Sequence, residues 1–396
     1  MSTTAAPPRQ SVLSDDMIAR FGERAATYDR ENRFFQEDFE DLKRAGYLTM
    51  PVPKELGGAG FTLAEVCREQ RRLGYYAPAT ALGVNMHLYW VGLVADLWRQ
   101  GDHSLEWLLK EAMEGEIFNA GHSERGNDLP VLLSTSKAER VDGGFRFTGH
   151  KMFGSLMPVW TRMGLHATWA DAEGGPKIVH AFLPRSHDGW RMVETWDTMG
   201  MRATRSDDTV LEGAFVPDKY IARILPEGFA GADAFILGIF AWALLGFGNI
   251  YYGIAQRAMD LALPGIKSKT SLAVSRSMAY HPEIQHMVAE MMLAFEPIAP
   301  HLDKVAEDWS NGIDHGATWP AKIVGVKYHA VEACWRIVDK AMEASGAAGM
   351  SRANELERLF RDARCGRFHP ANTFLVHEIV AKTALGIDLG EQPRWG

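Results

Sequence analysis

The chain has 396 residues and a formal net charge of -8 at pH 7. That length exceeds what one compact core normally covers and implies two or three packed units. A 46% hydrophobic and 23% charged composition is that of an ordinary globular protein, and the acidic balance excludes nucleic-acid binding driven by phosphate contacts.

Residues 1–10 are rich in Ser, Thr, Ala and Pro and lack a basic region followed by an apolar run, so they read as the start of a flexible tail (1–14) rather than a signal peptide. From 15 to about 118 the pattern is helical, with apolar repeats such as Phe35, Phe39, Leu42 and Leu48. The turn formers of 51–60 (PVPKELGGAG) interrupt it. From 119 to 227 short alternating runs take over. Asp142-Gly143-Gly144 ahead of Phe145-Arg146-Phe147-Thr148 signals a hairpin, and the runs ending at Pro184 and Pro217 read as strands. Long helical patterns return from Ala234 to the end. The stretch 234–252 approaches the length of a membrane span, but it is rich in Gly and aromatics and runs into the amphipathic 254–263, which reads as a buried helix. The expected organisation is a tail (1–14), an N-terminal α-helical domain (15–118), a middle β domain (119–227) and a C-terminal helical-bundle domain (228–396). No repeat of 20–50 residues is visible.

Three cysteines, Cys67, Cys334 and Cys365, form no CxxC pair. That predicts a reducing compartment, taken as the cytoplasm, with no disulfide framework and no zinc site. His281, His286 and Glu290 do not give the HExxH face of a zinc helix, and the GxSxG elbow of a serine hydrolase is absent. The expectation is that no metal is bound.

Several short motifs occur in a telling order. They are 42–60 (LKRAGYLTMPVPKELGGAG), Ser123-Glu124-Arg125-Gly126-Asn127-Asp128, 149–155 (GHKMFGS), Met199-Gly200-Met201-Arg202, Val216-Pro217, and 253–258 (GIAQRA). Near the end come Ser345-Gly346-Ala347-Ala348-Gly349, 355–364 (ELERLFRDAR) and Phe368-His369-Pro370-Ala371-Asn372. Together they resemble the acyl-CoA dehydrogenase superfamily from about 38 to 385. The resemblance implies an α+β, mostly α fold: an N-terminal helical domain, a middle β-barrel-like domain and a C-terminal four-helix bundle. It also implies a flavin cofactor, FAD with FMN as the alternative, bound in a homodimer or tetramer that acts on a small-molecule substrate. No membrane span is expected.

Carried over residue by residue, Ser123, Phe153 and Ser155 would contact the flavin ring, since a flavin needs hydrogen-bond donors and acceptors plus a flat surface beside it. The competing reading makes Phe153 a strand residue and Ser155 a turn residue. Gly346 and Gly349 would bring backbone N–H groups to the cofactor tail of a neighbouring subunit, although a helix C-cap needs only one glycine. Gln285 sits where the family often has a glutamine near the adenosine. The family's arginine would fall near Ser271, so Arg276 or Lys269 is the candidate cation. Asn372 completes the set of expected cofactor contacts.

In many of these dehydrogenases a loop glutamate removes the α-proton of a thioester. That position is Pro370 here, and the alternative site, 240–246 (FAWALLG), has no acid. His369 stands one residue earlier. In this respect the chain resembles the group D flavin-dependent monooxygenases, which implies oxygen chemistry through a flavin–oxygen adduct, with His369 as proton manager. Its competing role is a helix cap. His87, on the helix that walls the family's acyl pocket, is a second catalytic candidate, set against the reading of a satisfied core histidine. The alternatives are dehydrogenation of a CoA or carrier-protein thioester with a displaced base, and a non-catalytic thioester- or flavin-binding subunit. The expected electron partner is molecular oxygen or an electron-transfer protein.

Overall fold

The computed structural model describes residues 10–231 and 233–391. Five helices open it: α1 (Asp15–Glu31), α2 (Gln36–Arg44), α3 (Leu63–Tyr76), α4 (Pro78–Arg99) and α5 (Glu106–Met113). Their ends are written locally. The Ser14 hydroxyl accepts from Met17 N, and Thr62 with Glu65 forms a reciprocal capping box on α3. Within the expected tail, Leu13 is buried, and Arg72 donates to Ser11 Oγ and the Leu13 carbonyl. Residues 1–9 lie outside the described ones.

Eight strands follow: β1 (Phe118–Gly121), β2 (Lys137–Val141), β3 (Gly144–Lys151), β4 (Arg162–Trp169), β5 (Lys177–Pro184), β6 (Trp190–Val193), β7 (Asp208–Pro217) and β8 (Ile221–Pro226). They form one sheet in the order β6-β7-β3-β2-β4-β5-β8, with β1 parallel to β4. Asp142-Gly143 makes the two-residue turn between β2 and β3, whose register pairs Val141 with Gly144.

The C-terminal part is α6 (Ala234–Ser268), a short hairpin of β9 (Thr270–Ser271) and β10 (Val274–Ser277), then α7 (Pro282–Phe295), α8 (Ile298–Ser310), α9 (Trp319–Ser345), α10 (Glu355–Cys365) and α11 (Thr373–Leu385). Helices α6 to α9 pack on one another as a four-helix bundle, with α10 and α11 against α9. The hairpin was not legible as a strand pair: its strands are two and four residues long inside a helical zone. By length and composition α6 could cross a membrane, yet 78% of its apolar window is buried. The burial is against α3, α4 and α9. Asp96 on α4 ties this core together, accepting from the indoles of Trp242 at 2.7 Å and Trp309 at 2.9 Å.

Candidate active site

The loop after β1 is built on a buried ion pair. Met152 N donates to Ser123 O at 2.8 Å, joining the loop to the end of β3. Beneath Ser123, Glu124 accepts from Lys151 Nζ at 2.5 Å, from the Ser134 and Ser136 hydroxyls, and from Thr135 N and Ser136 N. Burial opposes the charge on Glu124, but the Lys151 ammonium and these donors outweigh it and hold the carboxyl at about 2. Burial pulls Lys151 down to about 8 against the attraction of Glu124. Both remain charged at pH 7.

Phe153 leaves β3 at φ 60° and is 53% exposed, a large aromatic ring turned to solvent. It meets Trp196 edge-on at 6.1 Å. Next to it, the amide of Asn119 is fully buried, and neither its nitrogen nor its oxygen has a partner among the described residues. Asn119 Nδ2 lies 3.7 Å from where a Cβ of Gly154 would stand. Ser155 Oγ is 2.7 Å from Ser206 Oγ, which is 2.7 Å from Thr204 Oγ1. Thr204 donates to Met201 O at 2.8 Å. The hydroxyls therefore point along one chain, and Ser155 keeps its lone pairs.

The 197–206 segment connects this strand end to α10. Met201 N donates to the buried Asp362 at 2.6 Å, and Arg361 donates to Met199 O at 2.7 Å. Gly200 lets the backbones touch, since a Cβ there would lie 2.4 Å from Arg361 O. Helix α10 leads into the loop that carries His369. The His369 ring stacks on Phe247 (5.0 Å between centroids), and its Nε2 is 2.8 Å from Tyr251 Oη. Lys327 Nζ donates to the carbonyls of both His369 and Ala371 at 3.0 Å. Burial and the Lys327 charge push His369 down to about 3, and burial pushes Lys327 down to about 7. Asn372 caps α11, accepting from Leu375 N at 3.0 Å.

His87 differs from its expected role as a catalytic group. Phe118 N donates to its Nδ1 at 3.0 Å, its Nε2 lies 3.1 Å from Leu48 O, and the ring is buried. Both nitrogens are consumed by backbone, so neither is left for a substrate. Arg276 and Gln285 are exposed: Arg276 lies over the Tyr280 ring and Gln285 Nε2 donates to Ala279 O. Gly346, at φ 72°, caps α9 beside Lys269, which donates to Ser345 O at 3.2 Å; Gly346 N donates to Glu343 O at 3.0 Å and Gly349 N to Gly346 O at 2.8 Å, so neither amide is left over for the cofactor tail expected there. Lys269 O also accepts from Met278 N. Arg276, Gln285, Gly346 and Gly349 thus share one end of the bundle, while Ser123, Phe153 and Ser155 stand on the sheet.

A separate cleft of ≈ 540 Å³ lies between α1, the 197–202 segment and α10. Three of its arginines are neutralised: Arg361 by Asp29 and Glu357, Arg358 by Glu355 and Asp362, and Arg202 by Asp197. Sequence reasoning missed Tyr251, Lys327 and Asn119. A lysine at the i+4 position between Ile323 and Val331 in the apolar stripe of α9 was a readable signal for Lys327. Tyr251 and Asn119 had none.

Comparison with known proteins places this geometry in a family. The acyl-CoA dehydrogenase N-terminal domain matches residues 14–105, and the acyl-CoA dehydrogenase C-terminal domain matches 235–371. The chain belongs to the acyl-CoA dehydrogenase superfamily. Within that superfamily it is 29% identical to the amino sugar nitrososynthase DnmZ of Streptomyces peucetius, covering 90% of this chain and 88% of that protein. It is 25% identical to the mitochondrial isovaleryl-CoA dehydrogenase of Solanum tuberosum, covering 89% and 87%. The solved structure of KijD3 in complex with FMN and a dTDP-linked amino keto sugar superposes with a TM-score of 0.83 at 22% identity, covering 94% of this chain and 92% of that one. As a member of the acyl-CoA dehydrogenase superfamily, the chain is a flavin-dependent oxidoreductase. Its own residues fit a flavin: an exposed flat ring at Phe153, an orphaned buried amide at Asn119 and the free lone pairs of Ser155.

Proposed function

We propose that the protein is an oxygen-dependent, monooxygenase-type flavoenzyme acting on a small organic molecule. The observation that carries this reading is the loop at His369, on which Tyr251, Phe247 and Lys327 pack; in this reading Pro370 stands at the position to which the family resemblance assigns a carboxylate base. Glu332, five residues on from Lys327 in α9, is tied to Arg367 at 2.6 Å. A proton must leave an α-carbon for dehydrogenation, and proline cannot accept it.

A bound flavin supplies the electrons that reduce oxygen. In this reading Ser123, Phe153 and Ser155 hold its ring, with Phe153 as the flat wall and Ser155 as an acceptor. His369 serves as the polar group on the loop side, and Asn372 fixes the start of the helix behind it. Arg276 and Gln285, exposed at this end of the bundle, would serve the cofactor tail held by a second copy of the chain, with Gly346 and Gly349 shaping the turn beside them. The enzyme is then a homo-oligomer, with oxygen as co-substrate and the cytoplasm as its compartment. FAD is the first choice, and a similar structure holding FMN keeps FMN as the alternative.

The second reading, α,β-dehydrogenation of an acyl thioester with a displaced base, is supported by the similarity to isovaleryl-CoA dehydrogenase. An anaerobic spectrum of the flavin-loaded protein mixed with acyl-CoA thioesters separates the two. Bleaching of the oxidised flavin band by a thioester alone would establish the dehydrogenase. No bleaching, followed by oxygen-dependent product once the flavin is reduced, is the outcome expected here. His369→Ala should then abolish product formation while flavin stays bound.

A further inference from the structure

The ring of His369 is held by side chains from two helices far away in sequence. Phe247 and Tyr251, four residues apart on α6, supply a stacking face and a hydroxyl. From α9, the buried Lys327 bridges two carbonyls of the loop, those of His369 and Ala371. Tyr251 is fully buried, and its phenol is held well above the ordinary value by that burial, so it keeps its proton. The hydroxyl has one partner among the described residues, His369 Nε2.

These facts fix the direction of the bond. A buried O–H left without an acceptor costs the full desolvation of the donor. If Nε2 carried the ring proton, the Tyr251 hydrogen would have no acceptor. The hydroxyl therefore donates to Nε2. The ring is neutral, with burial and Lys327 disfavouring the imidazolium, so its proton is on Nδ1. Nδ1 has no protein partner among the described residues, but His369 is only half-buried and Nδ1 is not an enclosed atom, so its hydrogen is not stranded as the Tyr251 hydrogen would be. Gly366 makes the contact feasible, because a Cβ there would lie 2.7 Å from Tyr251 Cε1.

We infer that Tyr251 is a positioning residue that locks His369 as the neutral Nδ1–H tautomer, with Lys327 fixing the loop backbone, so that the loop presents a hydrogen-bond donor rather than a base. This rests on the reading of the His369 loop as one wall of the reaction centre. It also deepens that reading, since a donor suits reduced oxygen and not an α-carbon proton.

The test is nitrogen-15 NMR of the flavin-bound protein grown with labelled histidine, with His369→Gln used only to assign the His369 signals. His87 is the internal reference for the opposite tautomer, because Phe118 N donates to its Nδ1. Wild-type His369 should show a protonated Nδ1 and a bare Nε2, favoured by at least about tenfold. Tyr251→Phe should move both signals toward a tautomer mixture while the His87 signals stay in place, which also reports that the variant is folded. A wild-type ring protonated at Nε2 overturns the inference without need of any variant. A Tyr251→Phe spectrum identical to wild type overturns it too. If the tautomer is as stated but His369→Ala retains full turnover, the catalytic reading of the loop falls and the tautomer assignment stands.

Discussion

Lys151 and Glu124 show what a single buried residue does at this site. Their pair is almost wholly removed from water, so losing one partner strands the other charge. Lys151→Met should destabilise the protein by about 3–5 kcal/mol, and the double variant Lys151→Met/Glu124→Gln by clearly less, as measured by denaturant unfolding. Equal losses in the two would show that the charge is not what matters. Phe153 belongs to the same scale. If its exposed ring is the flat wall of the flavin site, Phe153→Ala should weaken flavin retention by roughly 2–10-fold, read by fluorescence titration of the apoprotein, since an aromatic pair adds about 0.5–1.5 kcal/mol beyond area burial. An unchanged affinity would leave the ring as a surface residue beside Trp196. Ser123, Phe153, Ser155 and His369 could be singled out as candidates because each sits inside a short motif. Whether a motif's side chain is free was not readable. His87 was a second candidate set against the reading of a satisfied core histidine, and only the carbonyl of Leu48 and the amide of Phe118 show that it is fully used.

At the scale of elements, the docking of α10 sets where the His369 loop begins. Its Asp362 takes the Met201 amide, its Arg361 carbonyl lies against Gly200, and its end carries the His369 loop. Gly200→Ala would place a Cβ 2.4 Å from that carbonyl. It should cost about 1–3 kcal/mol and lower activity, checked by thermal unfolding alongside turnover. Asn372 is the cap of α11 by geometry. Asn372→Ala should cost about 1 kcal/mol, with Asn372→Ser restoring most of it. A change in flavin affinity in Asn372→Ala without loss of stability would instead favour the cofactor role. The helices and longer strands were legible from periodicity and from caps such as Thr62 and Asp142-Gly143. The short β9–β10 hairpin was not, because two- and four-residue strands carry too little pattern to outweigh a helical neighbourhood.

For the whole molecule, burial of neutral imidazoles sets the acid limit. Burial lowers His87 to about 4 and His180 to about 3, and holds His166 well below its ordinary value. Between these values and the unfolded value of about 6.5, the unfolded chain binds more protons, so this stability is full above pH 6.5 and is lost as pH falls below it. Asp38 and Asp362, raised to about 6 by burial, act in the opposite sense over part of that window. The clean measurement is therefore a difference. Relative to wild type, His180→Gln should flatten the decline between pH 6 and pH 4, by up to about 1.4 kcal/mol per pH unit; parallel curves would show that His180 carries no such load. The sequence by itself determined the order of helices, sheet and helices, and the family, because hydrophobic period, turn residues and ordered motifs are local properties of a chain. Only the tertiary structure decided which histidine is free, which nitrogen of His369 carries the proton, and which cation holds its loop. Those answers come from Tyr251, 118 residues away, and from Lys327, and a hydrogen bond's direction follows from what else surrounds the donor in space.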